Sequence, residues 1–216
     1  MPFFGFIPSE QLKTTLETAQ QNRNSKEPLY PLRDKTALLI NDEIIDAILT
    51  ELVRRFPATD KRETAEKLAG YIKSTVAVLL KQLLGKASND VVQQSIAFSE
   101  RSTFKDAEGH YRIGTALDAN LVSKLKQSFA EIKAGNDVDK AALGQLYKQF
   151  SDATAQHFMT DFNKTLDLGI IKRKASDLAT IAVTKAVHIA IDKMFPNFTK
   201  EELPDIAEYN DTLFHS

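Results

Sequence analysis

Two pairs of side chains late in the chain have the spacing that metal chemistry needs: His157 with Asp161 (HFMTD) and His188 with Asp192 (HIAID). Residues four apart share a helix face, so each pair can present an imidazole nitrogen and a carboxylate together. Two such helices packed antiparallel would offer four ligands to zinc, iron or manganese, which makes a transition metal the cofactor on this reading. The settings of the two pairs differ. His157 and Asp161 continue the apolar line of Leu143 and Phe150, where a buried carboxylate must find a partner. His188 and Asp192 lie on a narrow polar strip beside Lys185. The plainer reading is two unrelated pairs, one a satisfied hydrogen bond and one solvated. The lack of a Glu-x-x-His element of the di-iron bundle kind favours it.

Three other groups of residues could bind something. Arg101, Lys105, His110, Tyr111 and Arg112 crowd around a DAEG turn, and loops held by rigid helices often carry binding residues. If Arg101 and Arg112 converge, they would grip a carboxylate or phosphate in bidentate fashion; otherwise this is a solvated turn. The IKRK run at Ile171 to Lys174 puts basic side chains where a helix start favours anions, unless they face Asp167, Asp177 or solvent. At the other end, Phe3, Phe4 and Phe6 in PFFGFIP either tuck into a groove on the body or form an aromatic plug for a partner.

Composition narrows the field. The chain has 216 residues, 43% hydrophobic and 26% charged, with a formal net charge of -1. It can bury a substantial core and has no overall basic field for collecting nucleic acid. Cysteine is absent, which excludes disulfides, thiolate metal sites and cysteine nucleophiles. The most apolar run, Leu68 to Leu84, is broken by Lys73 and Lys81, so no stretch of about 20 charge-free residues could span a membrane. The opening MPFFGFIPSEQLK lacks the basic and apolar regions of a signal peptide, and a cytoplasmic protein is expected. Phosphate loops, dinucleotide fingerprints, HExxH, GxSxG and EF-hand loops do not occur.

The elements that must position these groups read as helices. Ser9 caps a polar helix to about Asn22, and Asn22 to Pro31 reads as a linker. A helix from Asp34 to Phe56, buried along Leu38, Ile45, Leu49, Leu52 and Phe56, should stop before Pro57, with Asn41 capping a fresh start inside it. Asp60 and Glu63 open a helix that runs to Leu84 and closes at Gly85. Ser88 caps a shorter helix to about Glu100. Ser102 to Gly114 is the one non-helical element, a small β-hairpin near 103–113 with Gly109 at positive φ. Thr115 with Asp118 opens the next helix, Asp137 to Leu168 forms another, and Thr199 with Glu202 caps the last. Between them Ile170 to Phe195 is apolar nearly all round, as expected of a helix around which a bundle packs.

The expected architecture is an all-α multi-helix bundle of seven or eight helices with mostly antiparallel neighbours. Residues 1–33 read as an N-terminal arm and linker, and 34–216 as a single helical domain. The leading functional expectation is a non-enzymatic binding protein that works through an apolar surface or interhelical pocket. Its partner would be itself, as a homodimer, or another protein. The alternatives are a metal-dependent enzyme using the His/Asp pairs and a regulator binding a small anion near Arg101 and Arg112.

Overall fold

Capping chemistry sets where three of the helices begin. In the computed structural model, which describes residues 1–55 and 60–215 and only the backbone of Asp60 and Lys61, helix α1 (Glu10–Gln21) opens at Ser9. The Ser9 hydroxyl accepts the Leu12 N–H at 3.1 Å, one of the donors a helix start leaves unpaired. Helix α2 (Tyr30–Ile45) continues through a π-helical turn, Asp46–Thr50, into the short α3 (Glu51–Arg54). Asn41 therefore lies inside α2 and caps no new start. The expected stop at Phe56 and Pro57, and the Asp60 half of a capping pair, lie outside the described residues and side chains. Helix α4 (Asp60–Leu83) is closed by Gly85 at φ +136. Just past its end the buried Arg33 donates to Gly85 O at 2.5 Å, and it also donates to Asp34 at 2.6 Å.

Helix α5 (Asn89–Arg101) leads into the expected hairpin, strands β2 (Thr103–Lys105) and β3 (Tyr111–Ala116), with Gly109 at φ +83. The hairpin is not alone. Strands β1 (Phe3–Phe6) and β4 (Phe214–His215) complete an antiparallel sheet in the order β2-β3-β1-β4. The N-terminal segment, read as an arm, is thus an inner strand paired on both sides. Phe4 is opposite Thr115, and Gly5 is opposite Gly114. A Cβ on Gly114 would fall 1.7 Å from the Phe4 carbonyl oxygen, so only glycine permits this approach. Pairing with β1 also holds Thr115 in strand. Helix α6 (Ala119–Lys133) therefore starts later than expected, at Asp118, which accepts the Leu121 N–H at 2.9 Å.

Helix α7 (Lys140–Ala155) runs into a second π turn, Gln156–Asp161, and a 3-10 turn, Lys164–Leu166. Helix α8 (Ile170–Met194) and helix α9 (Leu203–Asp211) follow. Ahead of α9, Thr199 and Glu202 exchange bonds of 2.7 and 3.3 Å, the reciprocal cap foreseen from their spacing. The architecture is an all-α multi-helix bundle carrying a small antiparallel sheet.

The core lies where the sheet meets α6 and α7. Phe4 meets Phe150 edge-on with ring centres 5.0 Å apart, and Phe214 meets Phe150 at 5.1 Å and Phe129 at 6.0 Å. These rings fill the place expected for α8. Helix α8 instead forms an outer wall on α4 and α7 and fully buries only Ser176, Val183, Ala190 and Ile191. Ile170, Ile171, Leu178, Ile181 and Ile189 stay 46% to 84% exposed. Its all-round apolar pattern reflects two apolar faces, one packed and one open.

Candidate functional site

The two His/Asp pairs go to different neighbours. The π turn carrying His157 directs its ring toward α5, where it stacks on Phe98 with ring centres 4.7 Å apart. Nε2 of His157 lies 2.8 Å from the Ser102 hydroxyl, whose own hydrogen is directed to Phe98 O at 2.9 Å. A hydroxyl has one hydrogen, so Ser102 accepts here and His157 donates from Nε2. Burial lowers the His157 pKa below its ordinary value; the Asp161 charge opposes this and the Arg101 charge adds to it. Asp161 accepts from Gln156 at 3.0 Å and from Lys164 at 2.7 Å. Burial would raise its pKa, but these bonds together with the Lys164 and His157 charges hold it low. His188 pairs with Asp152 of α7 at 2.7 Å, and Asp192 pairs with Lys148 at 2.6 Å. His157, Asp161, His188 and Asp192 are not among the described residues whose ligand atoms gather within metal-binding reach. The extra residue of the π turn rotates His157 out of the simple helical phase on which the four-ligand arrangement depended.

Asp106 organises the hairpin, a role the sequence did not reveal. One carboxylate oxygen accepts the His110 N–H at 2.7 Å, and the other accepts Arg112 Nε at 2.8 Å and lies 3.3 Å from His110 Nδ1. Burial would raise its pKa, but the bonds and charges of Arg112 and His110 outweigh that and hold it at about 2. Asp106, Glu108 and His110 bring ligand atoms within 4.8 Å of one another, yet Arg112 already neutralises the one buried carboxylate. Arg112 is thereby committed to its own hairpin, while Arg101 is placed beside His157. The expected two-arginine clamp is not assembled. Tyr111 is half-buried, and burial raises its phenol pKa. Phe4 and Phe6 are buried and Phe3 lies against Phe104 at 4.9 Å, so the three rings belong to the protein's own packing.

Two of the hollows among the described residues adjoin the first π turn. The larger, about 470 Å³, opens between Pro8, Glu43, Glu51, Arg112 and Tyr209. Its polar groups answer one another: Ser9 N–H donates to Glu43 at 2.8 Å, Lys73 donates to Asp46 at 2.8 Å, and Tyr209 donates to Ala47 O at 2.6 Å. The smaller is a groove of about 80 Å³ between α2, α4, α7 and α8. Ile48 and Leu49 of the first π turn and Phe158 and Met159 of the second line it, together with Ile72, Val76, Val183 and Val187. Asn41 and Phe158 also line an adjoining hollow. Nδ2 of Asn41 is buried there with no hydrogen-bond partner among the described residues. The sequence cue for this site was slight: one amide following Leu38, Leu39 and Ile40.

No family model matches this chain, and neither a curated protein nor a solved structure is similar to it.

Proposed function

We propose that this chain is a non-enzymatic α-helical binding protein whose site is the apolar groove between α2, α4, α7 and α8. The reading is carried by Asn41: its Nδ2 is a buried donor without an acceptor among the described residues, beside a mostly apolar hollow in which the Ser151 and Thr154 hydroxyls are already spent on backbone carbonyls. An unmatched buried N–H costs about 1–3 kcal/mol, which an occupant bringing an oxygen would relieve once the Asn41 amide turns toward the hollow. At about 80 Å³ the groove takes on the order of six water-sized atoms. The fitting occupant is a short, uncharged hydrocarbon with a carbonyl or hydroxyl oxygen. A carboxylate is a poor fit, because among the described residues no cation lines the groove to pair with it.

The test is thermal unfolding with 2-hexanone or hexanoate added. A ligand of the native state raises Tm with concentration. The ketone is expected to raise it and the carboxylate is not. Val183→Phe, which fills the groove, should abolish the effect. A ketone that leaves Tm unchanged, or acts equally on Val183→Phe, would remove the groove as the site.

A further inference from the structure

The outer face of α8 is separate from the groove. Ile171, Lys174, Leu178, Ile181, Lys185 and Ile189 recur on it at steps of three and four, all exposed. At about 1.5 Å per residue this stripe is roughly 27 Å long. Lys172, Arg173 and Lys193 are exposed on the same helix, against Asp177 and Asp192, and Asp192 is held by Lys148. Among the described residues no ion pair engages Lys172, Lys174, Lys185 or Lys193. A chain with a net charge of -1 thus concentrates free positive charge on its most exposed apolar face.

We infer that the outer face of α8 docks on an anionic lipid surface, with the helix lying in the plane of the headgroups. Two observations favour this occupant. Lys174 and Lys185 interrupt the apolar stripe rather than rim it. The core of a protein interface is depleted in lysine and would leave both ammonium groups unpaired. On a bilayer the lysine stems lie along the apolar surface and the ammonium groups rise to the lipid phosphates. A second copy of this chain fits poorly as well. Antiparallel self-packing centred between Leu178 and Ile181 would set Lys174 of one copy against Lys185 of the other, and parallel packing would set each lysine against itself. Among the described residues no helix is long and apolar enough to cross a membrane, so the surface is the level at which α8 would act.

Vesicle co-sedimentation tests this. Wild-type protein is expected to sediment with phosphatidylcholine vesicles containing phosphatidylglycerol, to stay in the supernatant with phosphatidylcholine alone, and to be released by high salt. The double variant Lys174→Gln/Lys185→Gln should partition roughly 30-fold more weakly, at the usual gain per basic residue near such a surface. Leu178→Glu should not bind. All three residues are exposed, and unchanged circular dichroism and Tm certify the folds. Folded wild type that ignores anionic vesicles would overturn the inference, as would equal binding to neutral ones. So would a dimer by light scattering that Leu178→Glu dissolves, because a second copy would then cover the face. Val183→Phe should bind vesicles normally and Leu178→Glu should still respond to 2-hexanone, so the groove and the face stand or fall separately.

Discussion

Asn41→Leu should stabilise this protein while weakening its groove, a pairing that ordinary core substitutions do not produce. Nδ2 of Asn41 is buried without an acceptor among the described residues, and such a group burdens the native state by about 1–3 kcal/mol. Leucine has the same side-chain heavy-atom count and branching, removes the unmatched donor, and places its bulkier methyls in the hollow beside Phe158 and Ile44. Better helix propensity alone would give only about 0.5 kcal/mol. The structural gain is therefore what lies beyond that, and the total expected is about 1–3 kcal/mol. For a chain of this size each kcal/mol raises Tm by about 2–4 °C. Urea unfolding, with the midpoint shifted at constant slope, measures the gain directly. The same variant should lose most of the Tm response to 2-hexanone. A destabilisation of Asn41→Leu would refute the reasoning, since it would mean that the amide is satisfied in the native state.

Phe4→Ala removes a fully buried ring touching Phe150 and Phe214, and should cost about 3–5 kcal/mol in the same urea assay. Arg33→Ala leaves the Gly85 carbonyl and Asp34 without the buried guanidinium, and a loss of about 3 kcal/mol is expected from breaking such a pair. His157 is held below its ordinary pKa of 6.5 by burial. The unfolded chain therefore takes up a proton first as pH falls past about 6.5, and stability declines from there until the folded-state pKa is passed. His157→Gln should flatten that decline in pH-dependent thermal melts. Part of the slope should remain, because burial lowers His215 as well, with the Arg112 charge adding to it.

Features written in adjacent residues were legible in the sequence. Ser9, Gly85, Gly109 and the Thr199–Glu202 pair act through the backbone next to them, so residue type and spacing suffice. Strand β1 was not legible, because its partners Ile113 to Ala116 lie more than a hundred residues away and its Phe-Phe-Gly-Phe sequence has no polar–apolar alternation to mark it. Helix α8 misled for a related reason: periodicity reports which residues are apolar, not whether the second apolar face has anything to pack on. The π turns reset the phase of two long helices. That reset took His157 away from His188 and brought Leu49 and Phe158 to one groove. Asp106 escaped notice because its partners are a backbone N–H and an arginine on the far side of a tight turn.

The neighbouring positions of β1 and β4 impose an order on folding. Phe3 faces His215 and Phe4 faces Phe214 across that pair of strands, so a segment must meet one synthesised about two hundred residues later. While the chain is emerging, α1 to α7 can assemble, but the free edge of β1 stays open to other strands. The cavity beside Phe129 and Phe150 meanwhile waits for the Phe214 ring. Closure of the sheet and completion of the aromatic core are then one late event. A nascent chain stalled before that point would be helical, incompletely packed and prone to pairing with its neighbours.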